Sequence, residues 1–130
     1  MNDLDEQMER WREANEQIQR RVAERIGRHQ EVEVRYAAYQ DDAEGLPIDN
    51  LDKVAYRGFV RFRDEGSDYW AWRSVPWESA VLEDPTWLDL CAVANDKILR
   101  GGDRHHGFLE GISLGEIVAG VMQAEFRMGS

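Results

Sequence analysis

Leu4, Met8, Trp11, Ile18, Val22 and Ile26 recur at steps of four, three, seven, four and four in an otherwise polar opening segment. That spacing gathers the apolar side chains on one stripe of an α-helix. Asp3 with Glu6 gives a capping-box-like start, and Asp5, Glu6 and Glu9 put negative charge where the helix dipole favours it. Arg20, Arg21, Arg25 and Arg28 complement the carbonyl end, and Gly27 supplies a stop. Glu6/Arg10, Glu16/Arg20 and Glu24/Arg28 lie four apart in the favourable order. The position missing from the stripe is Asn15, so Leu4, Met8, Trp11, Asn15, Ile18 and Val22 also read as a coiled-coil seam with one polar residue, a device that specifies register and a dimer. Over only about three heptads, a helix laying one stripe across a sheet is the plainer alternative.

Alternation replaces this period further on. EVEVRYAAY, residues 31–39, predicts a strand. QDDAEGLPIDNLD follows as an acidic loop carrying Asp41, Asp42, Glu44, Asp49 and Asp52, and its spacing does not match the ligand offsets of a calcium loop. In AYRGFVRFR, Tyr56, Val60 and Phe62 fall on one face, with Arg57, Phe59, Arg61 and Arg63 on the other. DEGSD then turns the chain into YWAWRSV, and the pair reads as a hairpin whose second strand puts Tyr69, Ala71 and Arg73 beside the arginine face. PWESAVLEDP closes this region. From Pro85 the run TWLDLCAVANDKILR predicts a second helix near residues 86–100, with a wide apolar stripe and a Gly101–Gly102 stop.

The last thirty residues carry both periods. Ser113 with Glu116 looks like a capping box, yet Met122, Ala124, Phe126 and Met128 alternate cleanly, and three glycines within ten residues weaken a helix. Two strands, HGFLEGISL and VMQAEFRM, are expected, with Gly115–Glu116 as the turn. The expected architecture is a single α+β domain over residues 1–130: an antiparallel sheet of four to five strands, packed on one face by the two helices. In element order this resembles the cystatin-like and NTF2-like cone folds, although no motif carries the likeness.

Composition narrows the function classes. The 130 residues are 42% hydrophobic and 32% charged, which suits one soluble globular domain. No stretch approaches the ~20 apolar residues that span a bilayer, and the acidic N-terminus is unlike a secretory signal. Cys91, the single cysteine, has nothing to pair with inside the chain and points to a reducing, cytoplasmic setting. A net charge of −10 opposes nucleic acid and anionic membranes as partners and suits a protein with a basic surface. The basic residues are 14 arginines and only two lysines, Lys53 and Lys97.

GGDRHHGFLEG, residues 101–111, holds two of the three histidines between glycines. Adjacent histidines diverge on either a helix or a strand, and the glycines break the helix that would align His106 with Glu110. No metal and no cofactor are therefore expected. An acid/base role needs one histidine oriented by a carboxylate, which makes His106 with Asp103 or Glu110 the candidate catalytic set. Its rival is a helix stop followed by a turn. Arg57, Phe59, Arg61, Arg63, Arg73, Trp70 and Trp72 form the candidate binding face, since arginine and aromatic residues anchor interfaces. Of the five tryptophans, the three within residues 70–77 cannot all face inward from a regular strand. The favoured expectation is a small non-enzymatic binding or regulatory protein, homodimeric, in the manner of phage or mobile-element inhibitors. A pocket protein or small enzyme using His106 is the alternative.

Overall fold

The opening stripe does form one helix, α1, over Asp3–Ile26. The protein is described here from a computed structural model covering residues 3–27, 31–36 and 51–129, with only the backbone of Trp11 and Tyr36. Arg28 and His29, residues 37–39 of the expected first strand, and loop residues Asp41, Asp42, Glu44 and Asp49 lie outside the described residues. The remaining elements are β1 (Arg35–Tyr36), β2 (Phe59–Asp64), β3 (Trp77–Glu78), β4 (Leu82–Glu83), α2 (Trp87–Gly101), β5 (Phe108–Val118) and β6 (Val121–Gly129).

The class is α+β, as the patterning predicts, but the sheet is mixed and not purely antiparallel. Its order is β1-β5-β6-β2-β3, with β4 also pairing β2. β1 runs parallel to β5 and β2 parallel to β6; the other pairings are antiparallel. A parallel neighbour needs a long crossover, and α2 together with β5 supplies it between β2 and β6. The β5–β6 hairpin turns at Ala119–Gly120, where both residues have positive φ (52° and 81°), and not at Gly115–Glu116. Residues 115 and 116 instead sit at a register irregularity within the ladder.

The expected second hairpin strand, YWAWRSV, is a loop. Gly66 turns the chain at φ 85°, and Ser67 and Ser74 close residues 68–73 with two reciprocal backbone hydrogen bonds of 3.0 and 2.9 Å. A Cβ at Gly66 would lie 2.8 Å from the Ser74 carbonyl oxygen, so the closure requires glycine. β3 and β4 then take the edge of β2 instead.

Both helices cover one face of the sheet. Ile18 and Val22 from α1, Leu90, Cys91, Ala94 and Ile98 from α2, and Val60, Phe62, Leu109 and Ala124 from the strands form the core, with Val34, Leu51, Trp77 and Trp87. Phe62 stacks on Phe126 with ring centroids 4.1 Å apart. Thr86 and Asp89 form a complete capping box on α2, and Gly102, in the left-handed region, ends it. Arg25 reaches Asp89 at 3.3 Å and Arg21 reaches Asp52 at 2.6 Å, tying α1 to what precedes and starts α2. The Arg21 hydrogen bond holds the Asp52 carboxyl below its usual range.

Residues 31–34 are irregular where the alternation predicts strand. Their backbone groups are satisfied by side chains of the helices, which removes the need for a ladder. Asn95, 1% exposed, accepts from the N–H groups of Glu33 (2.6 Å) and Val34 (3.2 Å) and donates to the Glu31 carbonyl (2.9 Å). Gln19 of α1 donates to the Val34 carbonyl, and Arg104 pairs with Glu33. Arg35 N–H then donates to Gly107 O at 2.8 Å, which starts β1 along β5.

Candidate functional site

The turn after α2 and the closed loop 66–74 meet at the edge of the sheet. Gly101 O accepts from Val75 N–H at 2.8 Å, fixing the loop's exit against the helix end. Within the turn, Asp103 accepts the backbone N–H groups of His105 (3.0 Å) and His106 (3.3 Å), an Asx-type arrangement that holds both rings in place. His106 Nδ1 lies 2.8 Å from the second Asp103 oxygen. Burial pushes the Asp103 carboxyl up, but the His106 ring and the two backbone donors outweigh it and bring it below the usual carboxylate range. An ionised carboxylate only accepts, so Nδ1 carries the proton and Nε2 is left as the basic nitrogen.

Trp72 packs on this turn. Its ring stacks on His105 at 5.3 Å and meets His106 edge-on at 5.1 Å. Tyr69 lies 4.3 Å from Trp72 and 5.8 Å from Trp70, between centroids. The stack ends at Trp70, 84% exposed, beside a half-exposed Tyr69. Below it, Asp64, Ser67, Trp72, Lys97, Asp103 and His106 help line a cavity of about 260 Å³. Lys97 Nζ sits 3.4 Å from Asp64 with its side chain only 11% exposed. A larger groove of about 750 Å³ adjoins, sharing Arg63, Asp64 and Glu125 with the cavity and lined also by Glu65, Glu78 and Glu116. Five carboxylates against one guanidinium make that groove acidic.

The catalytic candidates thus separate. His106 and Asp103 come together, whereas Glu110 lies on β5 against Gly129 and outside the cavity. The binding candidates also separate. Phe59, Arg61 and Arg63 do share the outer sheet face, but Arg61 and Arg63 both reach Glu78, at 3.3 and 3.6 Å, so a carboxylate sits among the charges. Arg57 precedes the ladder and Arg73 lies in the closed loop, so neither joins a neighbouring strand. Trp72 is half-buried and Trp77 is core, its Nε1–H donating to Asp96 at 3.0 Å, while Trp70 faces solvent. Of the seam, Ile18 and Val22 are core, Leu4 and Met8 are 60% and 62% exposed, and Asn15 is intermediate.

Lys97 and Asp64 were not singled out as site residues by sequence reasoning. The available signal was Lys97 itself, one of two lysines in a chain that otherwise uses arginine. Cys91 is buried and its thiol is pushed up to about 12 by that burial, which makes it an inert packing group. Among the described residues no three His, Cys, Asp or Glu side chains gather as metal ligands, and no helix is long and apolar enough to cross a membrane. Comparison with protein families, curated proteins and solved structures finds no match, so the layout likeness to cone folds gains no support and the site is read from its own geometry.

Proposed function

We propose that the protein is a small, acidic, non-enzymatic binding protein of the cytoplasm that acts by contact with another protein and works as a homodimer joined through α1. The contact surface is the aromatic loop 68–73 with the acidic groove beside it. One observation carries this reading: Trp70 is 84% exposed on a loop closed by its own hydrogen bonds and braced from behind by Tyr69, Trp72 and the histidines. A large aromatic side chain presented to solvent on a hydrogen-bonded loop needs little backbone ordering on binding and is a common kind of interface anchor. The groove's carboxylates and the net charge of −10 select a basic partner surface. Acidic inhibitors of phage and mobile elements, which occupy surfaces made for nucleic acid, work in this way. The arginine face is secondary, because Glu78 already engages Arg61 and Arg63.

The test is affinity capture from the source cell with the native chain and with Trp70→Ala in parallel. A protein retained by the native chain and lost with Trp70→Ala is expected; equal retention by both removes the loop from consideration. Arg61→Ala with Arg63→Ala is expected to leave capture nearly unchanged.

A second reading follows from the His106–Asp103 pair, 2.8 Å apart at a cavity of about 260 Å³. A histidine with a fixed tautomer at a cavity also lined by Lys97 is an acid/base arrangement for a small polar substrate. If this reading holds, a partner captured through Trp70 is a substrate carrier or is absent, and His106→Gln abolishes turnover without unfolding the chain.

A further inference from the structure

Helix α1 is divided at residue 14. Ala14, Ile18 and Val22 are buried in the core, while every described side chain of residues 3–13 is exposed, including Leu4 and Met8. The apolar stripe does not stop at the division. In the sequence it continues through positions 4, 8, 11 and 15, roughly 16 Å of helix, along which the Leu4 and Met8 side chains are exposed. Residues 3–13 propagate from the packed half of the same helix, and a surface laid against their stripe would add packing that the fold itself does not supply. The side-chain oxygen Oδ1 of Asn15, shielded from solvent at the division, has no hydrogen-bond partner among the described residues.

We propose that the stripe of residues 4–15 pairs with the same stripe of a second copy, with the two helices antiparallel. The proposal rests on the homodimer reading above and adds its orientation and register. With Met8 and Asn15 at a positions, Leu4 and position 11 fall at d, and Asp5 and Arg12 take the flanking e positions. An antiparallel pair sets position 8 opposite 11 of the second copy, 4 opposite 15, and Asp5 opposite Arg12, twice about the axis. A parallel pair sets Gln7 opposite Arg12 and Ala14 opposite Gln19, with no opposite charges in contact. Arg12 reaches Glu9 at 2.9 Å on its own helix, an exposed pair that holds it weakly. Because residues 14–26 lie on the body of the domain, the antiparallel arrangement also sends the two bodies to opposite ends of the helix pair.

Solution mass of the full chain against concentration is the measurement. A dimer is expected for the native chain, and a monomer for Leu4→Asp with Met8→Asp, whose near-UV circular dichroism stays native because both side chains are exposed. Asp5→Arg alone and Arg12→Asp alone each weaken the dimer by roughly tenfold. Together they restore it, since the double exchange re-creates opposite charges across the axis. A native monomer at every concentration overturns both this proposal and the homodimer reading. A dimer indifferent to Leu4→Asp with Met8→Asp keeps the homodimer and overturns pairing through α1. A dimer lost in that variant but not restored by the double charge exchange overturns the antiparallel register alone.

Discussion

Asn95 and Trp70 break the inside–outside rule in opposite directions. Asn95 is a polar residue at 1% exposure, and Trp70 is the largest apolar type at 84%. The region around Asn95 explains it fully: three hydrogen bonds from one amide hold residues 31–34, which have no ladder of their own at that point. The region around Trp70 explains how the side chain is held but offers nothing that covers it. A buried polar group hydrogen-bonded through both its oxygen and its nitrogen serves the fold, and an exposed apolar group on a braced loop serves something outside the chain. The contrast separates structural exceptions from functional ones without any relative to compare.

The sharpest way to break it is at Asn95. Asn95→Ala strands two backbone N–H groups and a carbonyl at a buried site, and a loss of about 2–4 kcal/mol is expected. Urea unfolding measures it. A loss under about 0.5 kcal/mol, the level of an ordinary surface change, would mean that residues 31–34 are held by something else.

Asp103 comes next, because it accepts three hydrogen bonds but stands nearer the surface. Asp103→Ala is expected to cost about 1–2 kcal/mol and to loosen the histidines from Trp72. Its carboxyl lies lower in the folded chain than in the unfolded one. The sign follows: the group adds stability above the usual carboxylate range, and that contribution disappears as pH falls through its lowered value. Acid titration of native and Asp103→Ala chains should therefore converge at low pH; parallel curves down to full protonation would show that the turn draws nothing from the ionised form.

What could be read from the sequence follows the range of the interactions. Both helices were legible because their caps and stripes are local: Thr86 and Asp89 are three residues apart, and Gly102 lies beside the last turn. Val60 and Phe62 were legible from alternation, and so were the two C-terminal strands. The Asn95 clamp was not, since Glu33 stands 62 residues away and a polar residue on a helix ordinarily faces water. YWAWRSV misled because a closed aromatic loop can be as rich in Tyr, Trp and Val as a strand is. The parallel pairings depend on which way α2 carries the chain back, and no local pattern encodes that. At the site, His106 and Asp103 are three apart and could be paired by inspection. Lys97 and Asp64 come from separate elements and could not.

The β5–β6 tip lies outside both regions and calibrates the scale. Ala119 holds φ 52°, a conformation that suits Asn or Gly in a two-residue turn and strains alanine. Ala119→Asn is expected to stabilise the fold by about 0.5–1 kcal/mol, read as a raised thermal midpoint. A lowered midpoint would mean the tip is not a turn of this kind.

The smallest expected effect on stability belongs to Trp70, and its smallness is the point. At 84% exposure the indole leaves little area to lose, so Trp70→Ala should move the unfolding free energy by under about 0.5 kcal/mol. Trp72→Ala, two residues along in the same stack but half-buried against both histidines, should cost clearly more. If Trp70 proved as costly as Trp72, its ring would be part of the loop's own scaffold, and its exposure would no longer argue for a partner. Near-neutrality in folding together with loss of capture is the combination that distinguishes a side chain kept for contact from one kept for the fold.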